Sequence, residues 1–163
     1  MEEQLVSGIA YAKDETKISV INFADIPGIA SYVFSPLAEA GVNVDMIVQN
    51  VSENGKTTHM TFTVSRREKE LAIKTLEAHK ETIQFDRIDT DENVTKVSAI
   101  GVGMRSHAGI AAKMFKALAD RGINIQVVST SEIKVSVLIS SDFTELAVRT
   151  LHSVFDLDDK NAA

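Results

Sequence analysis

The 163-residue chain has no cysteine, no tryptophan and only two prolines. Without cysteine it can build no disulfide framework, no zinc–thiolate centre and no cysteine nucleophile, and it suits a reducing, cytoplasmic setting. Aromatic residues make up only 6%. Positive charge is also short, with 17 Lys and Arg against 23 Asp and Glu for a net charge of −6. Nucleic-acid binders carry a basic face, and RNA-binding sheets of the ferredoxin-like kind also need exposed aromatics, so no nucleic-acid partner is expected. No apolar run approaches the roughly 20 residues that cross a bilayer, so no membrane partner is expected. The opening Met-Glu-Glu-Gln is acidic and has no signal-peptide core. His59, His79, His107 and His152 are scattered without ligand spacing, which argues against a metal. No GxxxxGK run followed by Ser or Thr is present. Gly101-Val-Gly103 has Ser106 where a dinucleotide fingerprint needs its third glycine, so no cofactor is expected. No Ser/His/Asp set stands out as catalytic.

What remains is a chain with 44% apolar and 25% charged residues, the balance of a folded globular protein. It repeats itself. Residues 28–43 read GIASYVFSPLAEAGVN and residues 109–124 read GIAAKMFKALADRGIN, with identities at Gly28/Gly109, Ile29/Ile110, Phe34/Phe115, Leu37/Leu118, Gly41/Gly122 and Asn43/Asn124. ELAIKTL at 70–76 returns as ELAVRTL at 145–151. Two matches in the same order indicate a duplicated unit.

In the first copy, Lys17–Phe23 is rich in β-branched residues and is expected to be a strand. After the break at Asp25-Ile-Pro-Gly28, Ile29, Val33 and Leu37 recur at helical spacing with Ala30, Phe34 and Ala38 beside them, and Gly41 ends the helix. Pro36 inside that helix should remove a hydrogen bond or bend it. Val44–Val51 reads as a strand, Asn54-Gly55 as a hairpin turn and Thr57–Val64 as the returning strand. Ser65-Arg-Arg-Glu68 has the spacing of a capping box for the next helix. Gln84–Ile88 is expected to close the unit, giving β-α-β-β-α-β, the ferredoxin-like plan. The second copy runs Thr95–Val102, Gly109–Arg121, Ile125–Ser129, Ile133–Ile139 and Phe143–Val154, then lacks a last strand. The acidic end from Phe155 onward reads as a frayed tail. A spare strand at Leu5–Ala12 is the simplest completion. The expected domains are therefore 14–92, and 93–156 completed by strand 4–13, with a flexible tail at 157–163; the first unit is inserted in the second.

The strand–helix turns Asp25–Ala30 and Arg105–Ala111 are the natural site-forming parts. A helix start offers unpaired N–H groups to a carboxylate, and Asp25 beside it offers an anion to an ammonium group, so the pair suits a free amino acid. Asp25 capping the helix is the alternative at this stage. The hydroxyl-rich run from Ser129 to Glu132 either lines a pocket or forms a solvated turn.

The run DIPGIASYVF…GVNVDMIVQNVS from Asp25 to Ser52, with MRSHAGIAAKMFKALADRGINIQVVSTSEIKVSVLI from Met104 to Ile139, strongly resembles the paired ACT domains at the C-terminus of aspartate kinase. The resemblance covers nearly the whole chain, but the lysine- and glycine-rich opening motif of the family's kinase domain is absent. It implies an α+β fold of two ferredoxin-like βαββαβ ACT units and a non-catalytic role: binding threonine, lysine or both for feedback inhibition of a catalytic subunit or kinase domain. It also implies a homodimer formed through the sheets. By resemblance, a threonine site would use Asp25, Gly28, Ile29, Ala30 and Gln49 with Asn124 and Ile125. A second effector site, resembling the family's lysine site, would use Met104, Ser106, His107, Gly109, Ile110 and Ala111 with Asn43, Val44 and Asp45, near Ser129, Thr130, Ser131 and Glu132. Ala108 stands where the first copy has Pro27, and Ser106 where it has Asp25, so the two sites should differ in specificity. A free-standing sensor acting on another enzyme or a repressor is the alternative. Because nothing in the chain is suited to hold ATP, the purified protein alone should release no ADP from ATP and aspartate above the blank. Turnover free of any catalytic subunit would contradict a regulatory role.

Overall fold

The computed structural model describes residues 6–101 and 107–157. Their element order is β1 (Gly8–Ala12), β2 (Thr16–Ala24), α1 (Ile29–Glu39), β3 (Ile47–Val51), β4 (Thr57–Val64), α2 (Lys69–Ala78), α3 (Lys80–Ile83), β5 (Arg87–Asp91), β6 (Val94–Ile100), α4 (His107–Asp120), β7 (Val127–Thr130), β8 (Lys134–Ser140) and α5 (Thr144–Val154). Short 3-10 turns at Arg66–Glu68 and Ser141–Phe143 lead into α2 and α5. Among the described residues no helix is long and apolar enough to cross a membrane.

The strands form two four-stranded antiparallel sheets, ordered β3-β4-β2-β5 and β1-β6-β8-β7. The chain divides into two compact units, one from Asp14–Glu92 and the other from the residues on either side of that stretch. Both units have the same ferredoxin-like plan. In the first, β2 is central, flanked by β4 and β5. In the second, β6 is central, flanked by β8 and by β1, which pairs from Gly8↔Ile100 to Ala12↔Lys96. Ser7 extends that ladder, its N–H donating to the Ile100 carbonyl at 2.7 Å. Leu5 lies outside the described residues.

Each core lies between a sheet and its helices. In unit 14–92 the α1 stripe Ile29, Val33 and Leu37 is buried against Ile18, Val20, Phe23, Met60 and Phe62. Phe34 meets Phe62 edge-on, with ring centroids 5.5 Å apart. Pro36 does lie inside α1, and its carbonyl still accepts the Ala40 N–H at 3.0 Å; Tyr32, whose carbonyl it deprives of a helix partner, is exposed. The other core gathers Val97, Ala99, Ile110, Met114, Leu118, Val135, Val137, Ala147 and Leu151. Gly41 and Gly122 end α1 and α4 with positive φ of 81° and 72°, the left-handed conformation that glycine takes without strain.

Four expectations are corrected. Val44–Met46 is not strand, and β3 starts at Ile47, although the Asp45 N–H still bonds the Thr63 carbonyl at 2.9 Å. The last strand of the first unit begins at Arg87, because Gln84 takes a left-handed φ of 61° that ends α3. The capping box is not made. Ser65 accepts no cap hydrogen bond, its buried Oγ has no partner among the described residues, and the Glu68 carboxylate turns to the Asn43 N–H at 3.1 Å. The frayed tail is wrong for its first residues. Phe155 and Leu157 are buried in the core, the Leu157 N–H bonds the His152 carbonyl at 2.8 Å, and Lys113 Nζ sits 5.4 Å from the Phe155 ring centroid. Residues 158–163 lie outside the described residues.

Removing residues 1–13 should expose the free edge of β6. Hydrogen exchange should then show protection falling in Val94–Ile100 and Lys134–Ser140 well before it falls in Thr16–Ala24; the reverse order would contradict the role of β1.

Candidate functional site

The β2–α1 turn is shaped by one backbone feature. Gly28, the N-cap of α1, has φ of 87°, and no side chain makes a cap hydrogen bond there. Its carbonyl accepts the Ser31 N–H at 3.1 Å, while the Ile29 N–H bonds the Ile26 carbonyl at 3.2 Å. Asp25 therefore does not cap α1, which removes one of the two roles open to it from sequence. Its backbone is tied into the sheet, N–H to the Lys56 carbonyl at 3.0 Å. Its carboxylate instead accepts Gln49 Nε2 at 3.4 Å, from the edge strand β3. Four of the residues expected at a threonine site, Asp25, Gly28, Ala30 and Gln49, thus share one end of the sheet. Ile29 is beside them but turns into the core, 5% exposed. Asn124 and Ile125 belong to the other unit, in the segment between α4 and β7.

The second expected set is distributed differently. Met104 and Ser106 lie outside the described residues. His107 opens α4, Gly109 and Ala111 are half-buried in its first turns, and Ile110 is a core residue. Ser129 and Thr130 end β7, and Ser131 and Glu132 form the turn to β8, the Ser131 N–H bonding the Lys134 carbonyl at 2.8 Å. Asn43, Val44 and Asp45 follow α1 in the unit 14–92. There Asn43 and Asp45 line a cleft of about 230 Å³ with Asp14, Glu15, Glu68 and Arg67, four carboxylates against one guanidinium. Among the described residues no group of three or more His, Asp or Glu side chains is placed to hold a metal ion.

A family model for the ACT domain matches this chain twice, over residues 18–79 and 97–155. The chain belongs to the ACT-domain family. The match also identifies its branch. An aspartokinase of Helicobacter pylori is 51% identical over 159 residues, covering 97% of this chain and 38% of its own length. A crystal structure of aspartokinase alpha and beta subunits contains a chain 47% identical, with a TM-score of 0.86 over 93% of this chain and 99% of that one. The ligand-free regulatory subunit of aspartate kinase from Thermus thermophilus is 38% identical, again with a TM-score of 0.86 and 99% of that chain covered. The ACT pair therefore corresponds to the regulatory part of aspartate kinase, and it spans 38% of the length of the curated aspartate kinases it matches.

Sequence reasoning missed three residues at this turn. Asn22 carries a left-handed φ of 60°, donates its N–H to His59 Nδ1 at 3.0 Å and donates Nδ2 to Asp86 Oδ2 at 2.6 Å. The available signal was Asn22 itself, a poor strand former three residues before Asp25.

A methyl group on Gly28 would meet no atom within 4 Å, so only its φ opposes a side chain there. Gly28→Ala should lower stability by about 1–2 kcal/mol in urea titration. Gly8→Ala, with equal space and no positive φ, should stay within about 0.5 kcal/mol of the parent. Equal losses would contradict the reading of the turn.

Proposed function

We propose that this ACT pair senses an end-product amino acid and holds an aspartate kinase catalytic partner in a less active state when the amino acid is bound. The observation that carries the reading is the Asp25 carboxylate: it is freed from helix capping and steadied by Gln49, beside a glycine-started helix. A helix start attracts the α-carboxylate, the aspartate attracts the α-ammonium, and a short polar side chain such as that of threonine fits the polar strand end at Gln49. Asn124 and Ile125 complete this site in the proposal, as the family resemblance implies. A second site on Met104–Ala111 takes lysine, with Asn43, Val44 and Asp45 and the Ser129–Glu132 segment. The excess of carboxylates around Asp45 supports a cationic side chain there. The chain works as a homodimer through its sheets.

The mechanism is linkage. A ligand shifts a conformational equilibrium only by its difference in affinity for the two states, typically about 1–3 kcal/mol. Threonine bound at Asp25 would thus favour one arrangement of the ACT pair and, through it, the inactive kinase.

Asp25→Asn tests this reading. It keeps size and an acceptor for Gln49 but removes the charge. Thermal stability without ligand should stay near the parent value, while calorimetric threonine affinity falls roughly ten-fold, as expected for losing a hydrogen bond to a charged group. The reassembled kinase should resist threonine while lysine binding changes less. Parent-like threonine affinity in Asp25→Asn would overturn the assignment.

A further inference from the structure

The strand that delivers Asp25 changes register just before it. In β2, Ile18 and Val20 point into the core, so strict alternation would turn Asn22 inward and Phe23 outward. Instead Phe23 is 1% exposed. The pairing runs Val20↔Met60 and then Phe23↔Thr58, so Ile21 and Asn22 together stand opposite His59. This is a β-bulge, and its extra residue resets which face every later side chain occupies. Asp25, two positions beyond Phe23, inherits its face from that reset.

The bulge is held by named groups. Asn22 accepts the left-handed φ of 60° more readily than most non-glycine residues do. Its N–H donates to the His59 ring, at 3.0 Å from Nδ1. Its side chain reaches Asp86 Oδ2 at 2.6 Å, and the Asp86 N–H returns to the Ile21 carbonyl at 2.9 Å. A ring nitrogen that accepts an N–H carries no proton, so His59 holds its proton on Nε2. His59 is also opposite Asn50 in β3, and the next residue, Met60, is opposite Gln49. One imidazole thus stands between the bulge that aims Asp25 and the strand that carries its partner.

We propose that His59 is a positioning residue for the amino-acid site: its unprotonated Nδ1 holds the Asn22 bulge, and the bulge sets the face on which the Asp25 carboxylate meets the Gln49 amide. The inference rests on the amino-acid reading of the Asp25 turn and extends it to a residue that touches no ligand.

The test uses the full chain with threonine as probe and two substitutions of opposite character. His59→Asn keeps a side-chain acceptor near the place of Nδ1. His59→Leu removes it while offering a residue at least as fit for a half-buried strand position. The expected result is threonine affinity reduced roughly ten-fold in His59→Leu and within about three-fold of the parent in His59→Asn. A purely structural strand position would favour leucine, so the reverse ranking, or equal affinities, overturns the proposal. Should His59→Leu fail to fold, the parent decides: nitrogen NMR of the ring should show Nδ1 without a proton and Nε2 with one, and a proton on Nδ1 overturns the proposal. Should the parent bind no threonine, the amino-acid reading fails separately. The Asp25 backbone and Gln49 side-chain amide resonances then report positioning: they should move in His59→Leu and hold in His59→Asn, and resonances that hold in both overturn it.

Discussion

A four-stranded sheet with an unfilled edge is the constraint on which this molecule turns. The described residues after Glu92 supply β6, β7 and β8, and among them the partner that β5 provides for β2 has no counterpart. The place beside β6 is taken by β1, from the other end of the chain. Such a connection is tolerable because the intervening unit brings its own ends together: Lys17 near its start pairs with Asp91 near its finish. The entropy of closing the long excursion between β1 and β6 grows only slowly with its length, and a folded insert with adjacent ends reduces it further. The duplicated plan and the inserted connectivity are thus two results of one need, to cover both edges of the central strands.

The duplication also sets what the molecule can do. The two copies carry different residues where a strand leads into a helix. The first has a carboxylate, a proline and a left-handed glycine, and its carboxylate bonds across to an edge strand. The second has serine and alanine where the first has Asp25 and Pro27. In the proposed function, a turn with an aspartate and a proline and one with neither are suited to different side chains, and that asymmetry would let one repeated fold read two amino acids. The correspondence to regulatory subunits of aspartate kinase supports that proposal.

Much of this was legible in the residues. The helix stripe at Ile29, Val33 and Leu37, the Asn54-Gly55 hairpin and the repeat itself depend on local periodicity and turn chemistry, which act over a few residues. The Asp25 turn stood out for the same reason. The misreadings arose where tertiary contacts outbid local pattern. Glu68 had the spacing of a capping box, yet the Asn43 N–H claimed its carboxylate. Val44–Met46 is apolar enough for a strand, but only part of it reaches β4. Phe155 and Leu157 sit in an acidic stretch and are held by a core that the stretch does not reveal. The bulge at Asn22 was invisible because its hydrogen-bond acceptor, His59, lies 37 residues away.

Ligand recognition by the chain itself is what calorimetric titration with threonine, with lysine, and with each in the presence of the other tests most directly. The expected result is saturable binding of at least one of the two, with the pair occupying separate sites when both bind. No heat from either amino acid, alone or together, with the chain folded and at concentrations well above physiological levels, would contradict the claim that this ACT pair is an amino-acid sensor.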